Sequence, residues 1–499
     1  MGLGSEISQY LQDEIGTLHK EAPEAIALVY PSPYRVAMSS LGFQTIYRTL
    51  NHTEGLAAHR AFLPDDVDAW FRARAPLVTY EQKRPVSDYP IVAFSVAYEA
   101  ELAGVIQTLE LSGISPLHEE RAIRDPLVIA GGPLTFSNPL PLAPYVDAIV
   151  MGEADESILE VVRTVFDSDS RLSALRTLAE HPHVFVPTMH GDILPPIDKA
   201  DGDELPAYSQ IITPHTELRN MFLVEPERGC HRGCSYCVMR RSTNDGMRIF
   251  DKERVLGLVP DAAERVGLVG AATTDHPQIT EIVETLAASG REVGLSSLRA
   301  DRLTDSLVAA LRRGGQGVLT TASDGASQRM RDVIQRRTSE AQLRNAAVLA
   351  RRHGMKRLKL YLMVGLPGET DDDIDEMVSF SQELSAQIPV SLGVAPFVAK
   401  RNTPLDGEAF AGIAAVDAKL KRLRRGVRGR VDVRATSARW AWIEYVLAQG
   451  GRAEGRAVLD AVHAGGRFAD WKRAFEALPS DRPKRRLVRP GNRLGRATA

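Results

Sequence analysis

Short apolar runs alternate with segments of helical period twice along this chain, and a proline-rich stretch separates the two series. In the first series "AIALVYP" (25–31), "IVAFSVAY" (91–98), "PLVIAGG" (126–132) and "VDAIVMGE" (146–153) are bounded by proline or glycine and read as buried parallel strands. Between them, "SSLGFQTIYRTLN" puts Phe43, Ile46, Tyr47 and Leu50 on one helical face, and "EAELAGVIQTLELSG" ends at Gly113, where a helix C-cap belongs. Strands alternating with helices predict a doubly wound, Rossmann-like sheet, which binds ligands at the carboxyl ends of its strands. Those ends are residues 39–43, 95–99, 131–133 and 152–155. The second series runs from about residue 220 to 405: "MFLVEP", "RVGLVGA", "REVGLSS", "QGVLTTA", "RLKLYLMVGLP" and "VSLGVAPF". Six such units predict a partial TIM-type (β/α)6 barrel. In "GLPGETDDDIDEMVSFSQEL", Thr370 can cap a helix whose first turn holds Asp371, Asp372 and Asp373, where the helix dipole favours negative charge. These aspartates read as helix-start residues rather than metal ligands. The expected α/β architecture is therefore an N-terminal helix (1–24), a Rossmann-like domain (25–165), a linker (166–215), a barrel (216–410) and a basic helical C-terminal region (411–499) with a disordered tail.

Composition narrows the class. With 44% hydrophobic and 25% charged residues the chain is an ordinary globular one, and no apolar run is long enough to span a bilayer. The overall charge of −3 conceals an asymmetry, because residues 419–499 carry 21 Lys/Arg against 7 Asp/Glu. An acidic body with a basic end suggests an anionic partner, RNA among them, or a solvated helical surface.

All three cysteines lie in "ERGCHRGCSYCVMR" (227–240), as Cys230, Cys234 and Cys237. An odd count, tight spacing and a polar N-terminus argue against a disulfide framework and for thiols of a reducing cytoplasm. Clustered cytoplasmic thiols usually hold a metal. Three thiolates in one loop after a barrel strand match an iron–sulfur cluster in which one iron lacks a protein ligand. The competing reading is a structural zinc site, Cys3His with His231 or a distant histidine, although the second ligand pair usual for zinc is missing.

The C-x3-C-x2-C spacing, with Tyr236 before the third cysteine, resembles the radical S-adenosylmethionine superfamily. The resemblance implies a [4Fe–4S] cluster whose open iron chelates S-adenosylmethionine, and an external one-electron donor such as flavodoxin or ferredoxin. One electron would then cleave the sulfonium to a 5′-deoxyadenosyl radical. It also assigns cofactor contacts: Tyr236 itself; Gly270 and Ala271 in "GLVGAATTDHP", where the family's glutamate is absent; Ser296, Ser297 and Arg299 in "GLSSLRAD"; Asp324 in "TTASDGASQRMRD"; and Gly365 and Gly368 in "YLMVGLPGET".

The first domain looks like the cobalamin-binding type of the same superfamily. "VAMSSLGFQTIYRTLN" and "PLVIAGGPLTFSNPLPLAPYVDAIVMGEADE" resemble a family in which the two domains are fused, and the likeness covers about residues 25–410. It implies cobalamin contacts from Ser95, Tyr98, Glu99, Gly131, Gly132, Gly152 and Glu153. The Asp-x-His-x-x-Gly motif that supplies an axial histidine to cobalt elsewhere is absent, and neither His59 nor His118 stands in that context. The sheet is thus either a corrinoid site without that histidine or an inherited, empty domain. The expected activity is cobalamin-dependent methylation or rearrangement of an unidentified substrate. Methylthiolation is disfavoured, since no cysteines remain for a second cluster. The alternatives are a cobalamin-free enzyme acting on RNA or a ribosomal component, and a zinc-stabilised nucleic-acid-binding protein.

Overall fold

The computed structural model describes residues 5–202, 204–239, 246–295 and 298–479. Its first sheet contains β1 (Glu24–Tyr30), β2 (Leu56–Phe62), β3 (Ile91–Ser95), β4 (Leu127–Gly131), β5 (Ala148–Val150) and β6 (Val184–Phe185), in the order β2-β1-β3-β4-β5-β6. The first five are parallel and β6 is antiparallel. Both faces are covered, which is why the strands read as unbroken apolar runs. Ala27 and Val29 pack toward the helix Leu102–Leu111, while Ile26, Leu28 and Tyr30 pack toward Leu41–His52. The strand order reverses between β1 and β3, the place where such sheets open a ligand crevice.

β2, "LAAHRAF", was not among the expected strands. Its polar residues hide a wholly buried strand, because Arg60 bonds Glu14 at 2.7 Å and Glu81 at 2.5 Å with all three side chains sealed from solvent. The stretch read as a linker is also structured. It carries the helix Arg171–Glu180 and β6, and Leu175, Leu178, Val184 and Val186 join the core of the first sheet.

The second series forms β7 (Met221–Val224), a short antiparallel hairpin β8 (Glu227–Gly229) and β9 (Met247–Ile249), then β10 (Arg265–Leu268), β11 (Glu292–Leu295), β12 (Val318–Asp324), β13 (Arg357–Val364), β14 (Val390–Pro396) and β15 (Val431–Ala435). Two parallel sheets, β11-β10-β7 and β12-β13-β14-β15, meet at a bridge between Leu298 and Thr321. Among the described residues the barrel is thus partial but has seven parallel strands rather than six. β15 lies in a segment expected to be helical. Val431, Val433 and Ala435 pack against the barrel core while Asp432 and Arg434 are exposed, so the period there is two. The helix Asp371–Ser385 starts as expected: Asp373 accepts the Thr370 N–H at 2.7 Å and its hydroxyl at 2.9 Å.

The C-terminal helices Ala438–Gln449, Arg452–His463 and Phe468–Glu476 fold back onto the first domain. Ile443, Leu447, Val458, Trp471 and Phe475 share a core with Leu102, Val105 and Leu109. Asn138 donates to the carbonyls of Leu447, Ala448 and Gly450 at 2.9–3.1 Å. This region therefore clasps the two halves together. The tail from residue 480 lies outside the described residues. Among the described residues, no helix is long and apolar enough to cross a membrane.

Candidate functional site

The chain leaves β7, turns through β8 and enters the cysteine loop, so the three thiols sit at the carboxyl ends of the barrel strands. Cys234 is buried, Cys230 and Cys237 are half-buried, and none is in a disulfide. Backbone bonds tether the loop to the barrel: Ser235 N–H donates to Ile334 at 3.0 Å and Leu405 N–H donates to Ser235 at 3.3 Å. Arg232 donates its N–H to the Cys230 sulfur at 3.4 Å and reaches Asp301 with its guanidinium at 2.5 Å.

The three thiols line one cavity of about 180 Å³ with Tyr236, Met239, Ala271, Arg299, Asp324 and Arg336 among its other walls. Among the described residues, no three His, Cys, Asp or Glu side chains already converge as the ligands of a metal ion would. The chemistry of the donors nonetheless fits a metal cluster. Burial pushes the Cys230 thiol up and the Cys237 thiol up to about 11. Without a bound cation these sulfurs keep their protons near neutral pH, and a metal would ionise them.

Of the residues expected to contact S-adenosylmethionine, Tyr236, Ala271, Arg299 and Asp324 line this cavity. Asp324 is held in the left-handed region (φ 60°) where the β12–β13 register shifts. It ion-pairs with Arg336 and accepts a hydrogen bond from Tyr236. Arg336 in turn hydrogen-bonds the Cys234 sulfur, a link that no local pattern announces because the two lie 102 positions apart in sequence. Arg299 is buried between Asp275 and Asp301, with Asp301 at 2.6 Å, so its guanidinium is engaged within the protein. Three expected contacts, Gly270, Gly365 and Gly368, lie outside the cavity walls. A Cβ at Gly270 would stand 2.2 Å from Glu227 Oε1, so that glycine makes room for a glutamate. Gly365 instead packs beneath the helix Ile413–Gly426 and donates its N–H to Glu369 at 2.6 Å. Ser296 and Ser297 lie outside the described residues. Glu227 itself was missed. It is wholly buried, accepts the Ala272 N–H at 2.8 Å, and has no partner for Oε2 among the described residues. Burial raises its carboxyl to about 8.

The second cavity is a crevice of about 400 Å³ at the strand ends of the first sheet. Leu28, Ala93, Phe94, Ile129 and Val150 form apolar parts of its walls, and Gly42, Thr45 and Ile46 from the helix Leu41–His52 form another side. Ser95, Gly131, Gly132, Gly152 and Glu153 line it as expected. Tyr98 and Glu99 do not. Glu99 is buried against Lys400 at 2.7 Å, and Lys400 also meets Glu444 at 2.8 Å, so this carboxylate fastens the loop after β14 to the first domain. No histidine lines the crevice among the described residues. His59 is buried in β2 between Tyr89 Oη at 2.7 Å and the Lys20 carbonyl at 2.9 Å. The glycines also separate by role. Gly132 (φ 105°) has the Val96 carbonyl 2.7 Å from a built Cβ, a backbone requirement, whereas a Cβ at Gly42 would meet nothing within 4 Å.

The two cavities adjoin. Met239, two residues beyond Cys237, lines both, and Val238 lines the crevice. A cluster of charges fixes this junction: Arg228 on β8 contacts Glu225 at 2.9 Å, Asp155 at 3.1 Å and Glu153 at 3.5 Å, and Arg248 on β9 bonds Glu153 at 2.5 Å. The cysteine hairpin is therefore bolted directly to the strand-end loop of the first sheet. Arg228 sits in the quoted cysteine stretch, but its partners come from the other domain.

Residues 42–187 match the family model for radical SAM proteins, N-terminal, and residues 224–381 match that of the radical SAM superfamily. Over 397 residues the chain is 26% identical to an uncharacterized protein of Methanocaldococcus jannaschii, covering 77% of this chain and 80% of that one. It is 22% identical over 271 residues to an uncharacterized methyltransferase of Pyrococcus horikoshii, covering 52% of this chain and 58% of the relative. Among solved structures it resembles the radical S-adenosylmethionine methyltransferase TsrM from Kitasatospora setae, determined with cobalamin and a [4Fe–4S] cluster bound, with TM-score 0.54, 12% identity, and 78% and 74% of the two chains covered. It also resembles the cobalamin-dependent S-adenosylmethionine radical enzyme OxsB with aqua-cobalamin bound, with TM-score 0.52, 12% identity, and 82% and 58% covered. At such identities these structures share a fold.

Proposed function

We propose that the chain is a radical S-adenosylmethionine protein and, on that reading, a corrinoid-assisted radical enzyme that methylates or rearranges an unidentified substrate. The observation that carries this reading is the shared wall at Met239, which sets an apolar strand-end crevice beside the three-thiol cavity. In this reading Cys230, Cys234 and Cys237 hold a [4Fe–4S] cluster, S-adenosylmethionine lies against Ala271 and Asp324, and the corrinoid enters the crevice past Gly42 and Gly131. When bound, the cluster supplies one electron to split the sulfonium, and the corrinoid supplies a methyl carrier.

The protein's own contribution is position and electrostatics. The Arg232 backbone N–H stands at the Cys230 sulfur and the Arg336 side chain beside Cys234, where each favours thiolate charge. Asp324, turned by its backbone and gripped by Arg336, is oriented to accept from a ribose hydroxyl. Arg299 acts through Asp275 and Asp301 as a brace of the cavity rim rather than as a free anion receptor. The crevice offers no imidazole, so a corrinoid there is held by shape and apolar contact. Free thiols suit a reducing cytoplasm, and an external reductant is required.

The test is anaerobic reconstitution of the full chain with iron, sulfide and hydroxocobalamin, followed by reduction with S-adenosylmethionine. Iron and sulfide of about four each per chain, a retained corrinoid and slow 5′-deoxyadenosine release are expected. Zinc alone, with no iron held under argon, would contradict the reading. A second reading, action on RNA, draws on Lys421, Arg424, Arg425, Arg428 and Arg430, which are exposed and have no ion-pair partner among the described residues. That reading requires RNA binding that falls steeply with salt.

A further inference from the structure

A third cavity, of about 430 Å³, lies where the C-terminal helices cross the first domain. None of its walls is shared with the cysteine cavity or the crevice. We propose that it is a binding site for a small organic ammonium ion.

Three aromatic rings line it: Trp440 and Trp471 from the C-terminal helices and Phe71 from the helix Val67–Ala73. The two indoles stand nearly perpendicular, at 75° with centroids 6.3 Å apart, and so form a corner. Trp440 is 49% exposed and Phe71 40%, although each buries large apolar surface when covered. Trp471 is locked in place by its indole N–H, which donates to the Gly466 carbonyl at 3.2 Å. Apart from His463, the ionisable side chains on the walls are carboxylates. Asp68 is exposed and has no ion-pair partner among the described residues, and Glu110 is the other carboxylate. Among the described residues, the one basic side chain lining the cavity is His463, already engaged by Glu110 at 2.5 Å.

Aromatic faces carry negative quadrupole charge and attract cations, most strongly when the cation is weakly hydrated, as an alkylammonium is. An acidic group beside them repels carboxylate and phosphate ligands and adds Coulomb attraction for the cation. The cavity volume falls in the range used for small ligands. A neutral apolar molecule of the same shape would gain the contact area but neither electrostatic contribution.

That difference gives the test. Calorimetric titration of the reconstituted full chain with choline chloride, at ionic strength matched with sodium chloride, is compared with titration by its neutral isostere 3,3-dimethyl-1-butanol. Choline is expected to bind at least about tenfold more tightly than the isostere, a difference within the range of cation–π and ionic contributions. Trp440→Ala should weaken choline binding about tenfold, and Asp68→Asn should weaken it severalfold without changing affinity for the isostere. Both side chains are exposed, and unchanged thermal melts would show that the variants fold. Equal affinity for the two probes, no heat with choline, or choline binding indifferent to Trp440→Ala would each overturn the proposal.

Discussion

The cysteine cavity is walled by charges that are already paired, whereas the crevice beside it is walled largely by glycine and aliphatic carbon. Around the thiols, Arg232 meets Asp301, Arg299 meets Asp275 and Asp301, and Arg336 meets Asp324. Such a cavity holds its polar groups in fixed directions before any ligand arrives, which favours a charged, chelated guest. The crevice presents the switch point of a parallel sheet, with apolar strand ends and the open helix start at Gly42. It can admit a broad, flat ligand without burying unpaired charge. On the proposed reading, one region fixes electronic chemistry and the other accepts a large carrier. Their common wall at Met239 places the two tasks side by side.

The sharpest way to break the comparison is to empty one region and watch the other. Cys230, Cys234 and Cys237 replaced together by alanine should remove the cluster entirely, because the chain has no other thiol. Iron analysis and visible absorbance check this, and corrinoid retention should survive. The reciprocal variant, Gly42→Trp, fills open crevice space without touching the cysteine loop. It should cut corrinoid retention by more than about tenfold, as a blocked apolar pocket does, while iron content and 5′-deoxyadenosine release remain. Gly132→Trp is unsuitable for this purpose, since the Val96 carbonyl already occupies the place of its Cβ.

The junction itself should respond to Arg228→Ala. This leaves Glu225 and Asp155 buried without their cation, a loss of about 3–5 kcal/mol for a buried pair, read as a lower thermal midpoint. A shift below about 1 kcal/mol would mean that the two domains are held chiefly by the C-terminal clasp.

A smaller, pH-dependent effect belongs to Glu227, whose folded carboxyl titrates near 8 because it is buried. The unfolded carboxyl ionises near 4.5, so between these values the folded state binds more protons, and stability falls as pH rises. Glu227→Gln should therefore stabilise the apo-protein at pH 8 by about 1–3 kcal/mol and leave it nearly unchanged at pH 4.5. Equal effects at both pH values would remove the titration from the account.

Most barrel and sheet strands were legible because a strand covered on both faces must be apolar along its length. β2 escaped that logic because Arg60 finds Glu14 and Glu81 inside the protein, and a paired ion looks polar in sequence wherever it lies. β15 was hidden in a basic run whose alternation spans only five residues at the barrel edge. At the site, the cysteines were legible from spacing alone. Arg336 and Met239 were not, because each matters through a neighbour that only folding supplies. Tyr98 and Glu99 show the converse. They occupy the strand-end position that usually faces a ligand, yet Glu99 has Lys400 to satisfy it.

The central claim is that the thiol loop and the crevice form one reaction site. Electron paramagnetic resonance of the reconstituted full chain, carrying both the reduced cluster and cob(II)alamin, tests this most directly. Adjoining cavities predict a cluster signal broadened by the second spin, and the Gly42→Trp variant should return it to the form seen without corrinoid. A spectrum that is the plain sum of its two parts, or a corrinoid that does not stay bound, would contradict it.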